Sequence, residues 1–454
     1  MYEAICKVQI TDCYRNKYRN PSTQKYCGVY LPINIFSEYL TSRYEPYPKA
    51  VVLKSRFDHQ NRNLIVSVNT MGQHRDRKRI GLLTSGGDCA GLNAALRAVV
   101  HRADSYGWEV FGISRATQGL MARPPEYIEF EDVSRTHELL LAGGTVLGTT
   151  NKGNPFDFPL PDGSTCDRSQ DIIDGYHLLG LDALIGIGGD GSMAILRRLA
   201  QQGGLNLVGI PKTIDNDLGC TERSIGFDTA VNIATEALDR LHFTAASHSR
   251  VMILEVMGRD AGHIALNAGI AGGADIVLIP EIPYTIDNIC QTIQGLKRNF
   301  ATIIVAEAVC TEAGEKVTQT NRLGQCRLGG IGEYLAEQIT ETIGAETRVT
   351  VLGHVQRGGT PSPLDRVLAT TFGVEAVDLF AAEKNDHMVS WLTRQVVHVP
   401  IAEAIAEYRA VSPQDTLVKT ARGMGICLGD STYYAVDSHI RCKTSVLSQL
   451  ELSS

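Results

Sequence analysis

Apolar runs that end in glycine-rich polar turns recur from about residue 80, and helical patterns lie between them. The first four runs read RIGLLTSGG (79–87), EVFGISRATQGL (109–120), ALIGIGGDGS (183–192) and NLVGIPKTIDND (206–217). Strands that alternate with helices in this way form βαβ units, whose parallel strands are covered by helices on both faces. The order therefore predicts an α/β fold with a mainly parallel sheet.

A second set of apolar runs follows between residues 250 and 359 and reads RVMILEVMG, ADIVLIPE, TIIVAEAV and RVTVLGHVQRGG. Two such sets predict two similar Rossmann-like lobes, each with three layers. Open α/β sheets bind ligands beyond the carboxyl ends of their strands. We therefore expect the polar turns to line an active site in the cleft between the lobes.

Composition excludes several classes of protein. The 454 residues are 43% hydrophobic and 20% charged, which is typical of a folded core and not of disorder. A net charge of −7 argues against nucleic acid as the main partner. No apolar run approaches the roughly 18 residues that span a bilayer, so no membrane association is predicted. The eleven cysteines are scattered singly, which favours reduced thiols in a cytoplasmic protein.

Residues 1–77 differ from the rest of the chain. They contain eight of the sixteen tyrosines, and their 12 lysines and arginines outnumber their 6 acids. Met71 is followed by GQHRDRKRIGLLTSGG, which resembles a natural protein start. Three interpretations are open: an extension that packs on the body, a targeting peptide, or a start assigned too far upstream. Several acids and few serines disfavour a transit peptide. We expect a poorly ordered extension or a mis-assigned start.

Two glycine-rich turns have the composition of anion-binding loops. In TSGGDCAGLNAALRAVV, Gly86 and Gly87 would let backbone N–H groups approach an anion, next to the positive end of a helix. A simple tight turn is the alternative for this loop. GIGGDGS contains G-x-G-x-x-G, which alone is a weak dinucleotide signal. The next strand lacks the acid that would bind a ribose, which disfavours an oxidoreductase.

Asp190 lies inside the second glycine loop. Its carboxylate would repel a phosphate unless a divalent cation lay between them. Mg²⁺ commonly takes one or two carboxylates and shares substrate phosphates, so we assign Asp190 to a magnesium site. No Walker A sequence, GxxxxGK[ST], occurs in the chain, which excludes a P-loop nucleotide hydrolase.

The turn PKTIDND (211–217) contains the candidate reactive groups. Asp215 could accept a proton from an attacking hydroxyl, and an unperturbed pKa of about 3.9 would keep it ionised at neutral pH, as we expect here. Thr213 could donate a hydrogen bond to a transferring phosphoryl group, and Lys212 adds positive charge. Asp217 could orient the base, a metal-bound water or the loop. Capping of a turn by Asp and Asn would explain the same residues if this loop stood alone.

Basic residues flank the second set of strands, and they are Arg250, Arg259, Arg348, His354 and Arg357. Single arginines are usually solvated or paired, whereas several beside glycines are typical of a phosphate cradle. Two phosphate-bearing ligands and one carboxylate base are the components of phosphoryl transfer.

Together these motifs resemble the 6-phosphofructokinase family over about residues 80–440. SGGDCAGLN is similar to the first glycine loop of the family, GGDGS to its ATP–magnesium loop and PKTIDND to its catalytic loop. VMGR is similar to its fructose 6-phosphate loop and GHVQRGG to its sugar-phosphate signature. The resemblance implies a glycolytic kinase that uses ATP and Mg²⁺ to make fructose 1,6-bisphosphate from fructose 6-phosphate, as an allosteric homotetramer or dimer.

The resemblance also implies roles for individual residues. Asp215 would activate the sugar 1-hydroxyl, Thr213 and Arg259 would stabilise the phosphoryl group with Lys212 beside them, and Asp190 would hold magnesium. The residues that would face ATP are Gly87, Lys152, Gly189, Asp190, Gly191 and Ser192. The residues that would hold fructose 6-phosphate are Thr213, Asp215, Met257, Gly258, Arg259, Glu307, His354 and Arg357, with Arg250 and Arg348 reaching in from a neighbouring subunit.

One departure from the family pattern bears on the phosphoryl donor. Pyrophosphate-using members pair a lysine at the position of Lys212 with an aspartate where this chain has Gly191, so both donors stay open. The missing side chain at Gly191 leaves room for an α-phosphate and favours ATP. The segment GTTNK (148–152) also lacks the usual phosphate-bridging arginine, and Lys152 is the candidate replacement.

A second departure concerns regulation. At the effector pocket of bacterial-type members, Arg97 is kept, but His101 and His242 stand where arginines are expected. The response to ADP or phosphoenolpyruvate is therefore open, and a pH-sensitive response is one alternative.

The implied domains are an extension at 1–77, an ATP-binding lobe at 78–226 plus about 356–406, and a sugar-binding lobe at about 227–355 plus 407–454. A catalytically silent sugar-phosphate sensor or regulatory subunit is a further alternative. The acids Asp190 and Asp215 argue against it, because binding alone needs neither a base nor a metal carboxylate.

Overall fold

The structure is a computed structural model that describes residues 6–7, 51–58, 63–70, 77–130, 133–160, 162–320 and 326–431. The chain divides into two compact units, residues 1–76 and 77–454. In the first unit, β1 (Cys6–Lys7) and β2 (Val51–Asp58) both pair antiparallel with β3 (Asn63–Thr70). The rest of the predicted extension lies outside the described residues, so its three interpretations stay predictions.

The second unit contains a seven-stranded sheet. Its strands lie in the order β18 (Gln395–Pro400), β17 (His387–Leu392), β10 (Leu207–Pro211), β9 (Ala183–Gly188), β4 (Arg79–Thr84), β5 (Glu109–Ile113) and β6 (Tyr127–Glu129). The five inner strands are parallel, and the outermost strands β18 and β6 pair antiparallel with their neighbours. Every residue of β9 and β10 is buried, as expected for parallel strands covered on both faces.

A second sheet of the same unit has four parallel strands. They lie in the order β12 (Ile276–Leu278), β13 (Ala301–Ala306), β11 (Val251–Val256) and β16 (Thr347–Val351). Two small antiparallel ribbons pair β7 (Phe158–Pro159) with β8 (Thr165–Cys166), and β14 (Thr318–Thr320) with β15 (Cys326–Leu328). The predicted α/β class with mainly parallel sheets is confirmed. The bounds of the two lobes stay a prediction.

Helices connect the strands. They are α1 (Leu92–Ser105), α2 (Gln118–Met121), α3 (Ser169–Leu179), α4 (Asp190–Gly203), α5 (Phe227–His248), α6 (His263–Ala271), α7 (Ile286–Gly295), α8 (Ile331–Ile343), α9 (Pro363–Ala381), α10 (Ile401–Ala406) and α11 (Thr416–Gly423). Short 3₁₀ helices occupy Val133–Leu140, Pro155–Asp157 and Gly353–Arg357. Within the part of the chain that the structure describes, no helix combines the length and the apolar character needed to cross a membrane.

The two faces of the seven-stranded sheet belong to different apolar clusters. In β9, Ile185 and Ile187 join the large cluster that also contains the buried residues of β11 and β13, whereas Leu184 joins a smaller cluster on the other face. This alternation follows from the period of two in a strand. The large cluster is continuous between the two sheets, and this fixes the carboxyl ends of both sets of strands relative to each other.

Candidate active site

The first turn of the site follows β9. In the register of the sheet Gly188 lies opposite Pro211, so the turns after β9 and β10 begin side by side. Gly189 is the N-cap of α4 and Asp190 is the first helical residue, with a side chain 49% exposed. A Cβ atom at Gly188 would lie 2.5 Å from Cβ of Ser192, so the tight approach needs glycine. A Cβ atom at Gly191 would meet only open space.

The second turn, residues 212–217, is buried and held by its own side chains. The hydroxyl of Thr213 accepts a hydrogen bond from the backbone N–H of Asp215 at 3.1 Å. The same hydroxyl lies 3.3 Å from a carboxylate oxygen of Asp215 and 3.3 Å from one of Asp217. Asn216 adopts the left-handed region, and its amide accepts from the N–H of Ser224 at 3.0 Å. These contacts fix the direction of both carboxylates.

Burial gives Asp215 an unusual pKa. Its side chain is 3% exposed, and its Oδ1 has no hydrogen-bond partner among the described residues. Burial and the neighbouring charge of Asp217 raise the pKa of Asp215 to about 6, against the opposing effects of Arg357, Arg259 and the Thr213 hydroxyl. The expectation of an unperturbed pKa is therefore wrong, because the sequence does not show how deeply this turn is buried.

Arg259 joins the two turns. Its Nη1 lies 3.2 Å from Oδ1 of Asp190 and 3.7 Å from Oδ2 of Asp217. The arginine follows Gly258, which has φ +154°, and itself has φ 51°. Its backbone N–H donates to Glu307 at 3.3 Å, and burial raises the pKa of Glu307 to about 7. One guanidinium group therefore connects the carboxylates that follow β9 and β10.

Lys212 and Arg357 bring positive charge to the first glycine loop. The ammonium group of Lys212 is buried and donates to the carbonyl oxygen of Gly87, and burial lowers the pKa of Lys212. Arg357 donates to the carbonyl oxygen of Asp88 at 3.2 Å. A Cβ atom at Gly87 would lie 2.7 Å from Nη1 of Arg357, so the guanidinium group occupies the space that a side chain at residue 87 would take.

These groups line one cavity of about 460 Å³, a size that suits a nucleotide or a sugar phosphate. The predicted site residues in its wall are Gly87, Lys152, Gly189, Asp190, Gly191, Ser192, Lys212, Thr213, Asp215, Arg259, His354 and Arg357. Asp190 and Asp215 thus face the same space, as the interpretation of the two turns required.

Comparison with known proteins identifies the family. The family model described as Phosphofructokinase matches residues 79–380, about two thirds of the chain. The chain belongs to the phosphofructokinase family. It is 71% identical over 356 residues to ATP-dependent 6-phosphofructokinase 1 of Nostoc sp., covering 78% of this chain and 99% of that protein. It is 68% identical over 357 residues to ATP-dependent 6-phosphofructokinase 1 of Synechocystis sp., with coverages of 78% and 99%.

Among solved structures, the phosphofructokinase of Pichia pastoris in the T-state aligns with a TM-score of 0.63 and 30% identity. The alignment covers 79% of this chain and 38% of the Pichia chain, so the present chain spans well under half of that relative. The likeness agrees with the arrangement of two parallel α/β sheets.

Some phosphofructokinase residues predicted from sequence lie outside the cavity wall. Two of them, Met257 and Gly258, precede Arg259 in its turn after β11, and the third, Glu307, accepts a hydrogen bond from the backbone N–H of Arg259. Arg250 and Arg348 lie elsewhere, at the amino ends of β11 and β16, where both contact Glu346 at 2.9 and 2.5 Å. Six strand residues place Arg250 about 20 Å from the turn that contains Arg259. Both arginines are therefore separate from the cavity of their own chain, and their role in a neighbouring subunit stays a prediction.

Part of the cavity wall was missed by sequence reasoning. Gly86, Thr150 and Asn151 belong to loops that the sequence already singled out, and the other additional lining residues are Ser85, Asp88, Ala116, Thr117, Gly153, Asn154, Pro155 and Ile195. The segment 150–155 is brought to the first glycine loop by Thr149, which donates to the carbonyl oxygen of Gly86 at 2.7 Å. The polar stretch TTNKGNP (149–155) indicated a loop, but nothing in the local sequence showed which other loop it would contact.

The donors in the cavity fit a magnesium ion only in part. Within the described residues, no cluster of three or more His, Cys, Asp or Glu side chains could hold a metal. Asp190 offers a half-exposed carboxylate to the cavity, at the N-terminus of α4. Mg²⁺ commonly uses one or two protein carboxylates and completes its coordination with water and substrate phosphates. A site formed by Asp190 and a bound phosphate ligand agrees with that preference.

The two histidines predicted at the effector pocket occupy different surroundings. Nε2 of His101 lies 3.0 Å from the hydroxyl of Thr136, and burial together with Arg97 lowers the pKa of His101. The His242 ring packs edge-on against Phe300. Neither contact identifies an effector, so the altered response stays a prediction.

Proposed function

We propose that the protein transfers the γ-phosphoryl group of ATP to the 1-hydroxyl of fructose 6-phosphate, giving fructose 1,6-bisphosphate and ADP. The observation that carries the proposal is that Asp190, Asp215 and Arg259 line one cavity, where Arg259 contacts Asp190. A phosphoryl transferase needs one region that binds the phosphates of the donor and another that holds the attacking hydroxyl beside a base. The two neighbouring turns supply these regions.

Asp215 is the general base of this proposal. With a pKa of about 6 it is ionised in most molecules at neutral pH, yet it binds a proton better than an ordinary carboxylate does. The hydroxyl of Thr213 lies 3.3 Å from Asp215 and can donate to a phosphoryl oxygen when that group approaches. The guanidinium group of Arg259, which contacts Asp190, can turn to contact the phosphoryl group instead. Lys212 and Arg357 keep this part of the cavity positive.

Asp190 is the residue that would hold Mg²⁺, with Gly87, Gly189, Gly191, Ser192 and Lys152 around the phosphates of ATP. When bound, the cation neutralises charge on the phosphates and makes transfer of the phosphoryl group easier. The negative charge of Asp190 would attract the cation, and the backbone N–H groups at the N-terminus of α4 would favour the phosphates.

ATP is favoured as the donor because of the space at Gly191. A Cβ atom there would meet no neighbour within 4 Å, so the position opens onto the cavity and leaves room for an α-phosphate. The relatives from Nostoc and Synechocystis are both named ATP-dependent. Pyrophosphate is the second candidate donor, because Lys212 lies in the cavity wall beside Gly87.

The partners of the enzyme include further copies of the chain. Arg250 and Arg348 are held by Glu346 at the strand ends opposite the cavity, so they would serve a sugar-phosphate site only in a neighbouring subunit. We therefore propose a homo-oligomer, a tetramer or a dimer. We also propose that the two lobes bind ATP and the sugar phosphate, as predicted from the sequence, and that the protein is cytoplasmic.

A donor-exchange assay on the full-length protein tests the proposal. Initial rates are measured with fructose 6-phosphate and either ATP or pyrophosphate, each with Mg²⁺, and fructose 1,6-bisphosphate is quantified. We expect turnover with ATP. Turnover with pyrophosphate and none with ATP would show that pyrophosphate is the donor. Binding of fructose 6-phosphate without turnover of either donor would favour a regulatory subunit.

A further inference from the structure

Gln356 occupies an unusual place in the site. It lies in the 3₁₀ helix Gly353–Arg357, between His354 and Arg357, which both line the cavity. The side chain of Gln356 is buried, with the residue 1% exposed, and it does not reach the cavity wall. Its Oε1 accepts a hydrogen bond from the backbone N–H of Met257 at 2.8 Å. Gln356 thus connects the 3₁₀ helix to the turn that follows β11.

That turn needs to be held. A Cβ atom at Gly258 would lie 2.5 Å from the carbonyl oxygen of Ala261, and the next residue, Arg259, has φ 51°. The left-handed region is unfavourable for a residue with a side chain, and it persists where the surroundings fix the backbone. Two side chains hold backbone N–H groups of this turn: Gln356 holds that of Met257, and Glu307 holds that of Arg259.

A role in packing alone explains Gln356 poorly. Its Nε2 is buried without a hydrogen-bond partner among the described residues, and an unpaired buried donor is unfavourable. A methionine would fill a similar space without this cost. The backbone also joins the two segments already, because the N–H of Leu352 donates to the carbonyl oxygen of Glu255 at 3.0 Å. The acceptor oxygen of Gln356 is what an apolar side chain would lack.

We propose that Gln356 is a positioning residue that sets the place of Arg259 relative to His354 and Arg357, and thereby the affinity for the phosphorylated sugar. The three basic side chains come from two segments, β11 with its turn and the 3₁₀ helix after β16. The amide of Gln356 joins these segments close to the cavity, at Met257, the first residue of the turn. This inference rests on the proposed function for the identity of the sugar phosphate.

The Gln356→Met variant tests the role of the acceptor oxygen in the full-length protein. We expect KM for fructose 6-phosphate to rise about tenfold, the usual worth of one lost hydrogen bond, while KM for ATP stays within about twofold. Amide hydrogen exchange in the peptide that contains Met257 should become faster. An unchanged KM for fructose 6-phosphate, or equal rises in both KM values, would contradict the inference.

Thr302→Val is the matched control. Thr302 is fully buried and lies at the amino end of β13, where its hydroxyl is 3.3 Å from Asp275. The variant loses a buried polar contact far from the cavity, so it should lower the melting temperature without changing either KM. If it raised KM for fructose 6-phosphate as much as Gln356→Met does, the effect of Gln356 would be one of general stability, and the inference would be wrong.

Gln356→Glu decides the question if Gln356→Met does not fold. It keeps the length of the side chain and an acceptor oxygen, so we expect KM for fructose 6-phosphate to stay closer to the wild-type value than to a tenfold rise. A tenfold rise in folded Gln356→Glu would overturn the proposed role. Failure of the proposed function itself is distinguishable, because the wild-type protein would then show no turnover of fructose 6-phosphate with ATP.

Discussion

The turns after β9 and β10 begin side by side in the same sheet, yet the carboxylate of one is exposed to solvent and that of the other is buried. The side chain of Asp190 is half-exposed on a turn shaped by glycines, whereas Asp215 is buried in a turn held by side-chain hydrogen bonds. A carboxylate that binds a cation needs access to ligand and water. A carboxylate that accepts a proton gains from burial, which raises its pKa. Neighbouring turns can therefore serve different chemical steps through burial alone.

The largest expected effect separates the two carboxylates. Asp215→Asn should lower kcat by about 10²–10⁴, because an amide cannot accept the proton of the attacking hydroxyl. Asp190→Asn should instead raise the Mg²⁺ concentration needed for half-maximal rate. Initial rates over a range of Mg²⁺ concentrations, with fructose 6-phosphate binding checked by calorimetry, measure both effects. Near-normal turnover of Asp215→Asn with intact binding would remove Asp215 from its assigned role.

The pH profile should depend on the buried turn. Because the pKa of Asp215 is raised to about 6, kcat/KM should be constant above that pH and fall about tenfold per unit below it, as the base becomes protonated. Rates between pH 5 and 8 at saturating Mg²⁺ measure this limb.

Asp217→Asn sharpens the same test. Asp217 is the largest charged contribution that raises the pKa of Asp215, so its removal should move the limb to lower pH. Glu307 is also buried with a pKa raised to about 7, and it would give a limb that does not respond to Asp217 in this way. A limb that stays in place in the variant would assign the titration to another group.

The sequence predicted the parallel strands from β4 to β16, the helices between them and the two polar turns, because these follow from local periodicity and from glycine and Asx chemistry. It did not predict β6, β17 and β18, which complete the larger sheet. It did not predict the raised pKa of Asp215, which depends on burial by distant segments. The sequence predicted Lys152 near the phosphates but not residues 153–155 in the cavity wall, since the contact of Thr149 with Gly86 joins segments more than sixty residues apart. The unusual amide of Gln356 likewise depends on a contact with Met257 across the fold.

The placement of Arg250 and Arg348 is different, since it follows from a local signal. Arg250 directly precedes the apolar run of β11, and Arg348 lies near the start of β16. Residues before a parallel strand lie at its amino end, away from the ligand-binding edge. Strand direction alone therefore separates these two arginines from Arg259 and Arg357 within one chain.

The donor preference should depend on the open turn. Gly191→Asp should raise KM for ATP about tenfold or more, because a second carboxylate beside Asp190 would repel the phosphates of ATP. Gly191→Ala is the matched control for volume, and it should raise KM for ATP less than Gly191→Asp because its methyl group carries no charge. Equal effects of the two variants would show that side-chain volume, and not charge, controls donor binding.

The smallest expected effect is on stability. The folded state raises the pKa of Asp215 from 3.8 to about 6, so its ionisation opposes folding fully above about pH 6 and not at all below about pH 3.8. Asp215→Asn should therefore raise the free energy of unfolding by about 1–2 kcal/mol at pH 7.5, and this gain should shrink as the pH falls. Urea unfolding at several pH values measures it, with exposed Asp239→Asn as the control. A destabilised variant at pH 7.5 would mean that the Asp215 carboxylate forms favourable contacts that outweigh its burial.

The central claim is that the two turns act on one reaction within one cavity. Nuclear relaxation of ¹³C-labelled fructose 6-phosphate, bound to Asp215→Asn together with Mn²⁺ and ATP, tests it most directly. If the cation at Asp190 and the hydroxyl beside residue 215 share the cavity, the paramagnetic ion should speed relaxation at C1 more than at C6. Relaxation at C1 no faster than at C6 would place the sugar hydroxyl away from the donor phosphates and contradict the account.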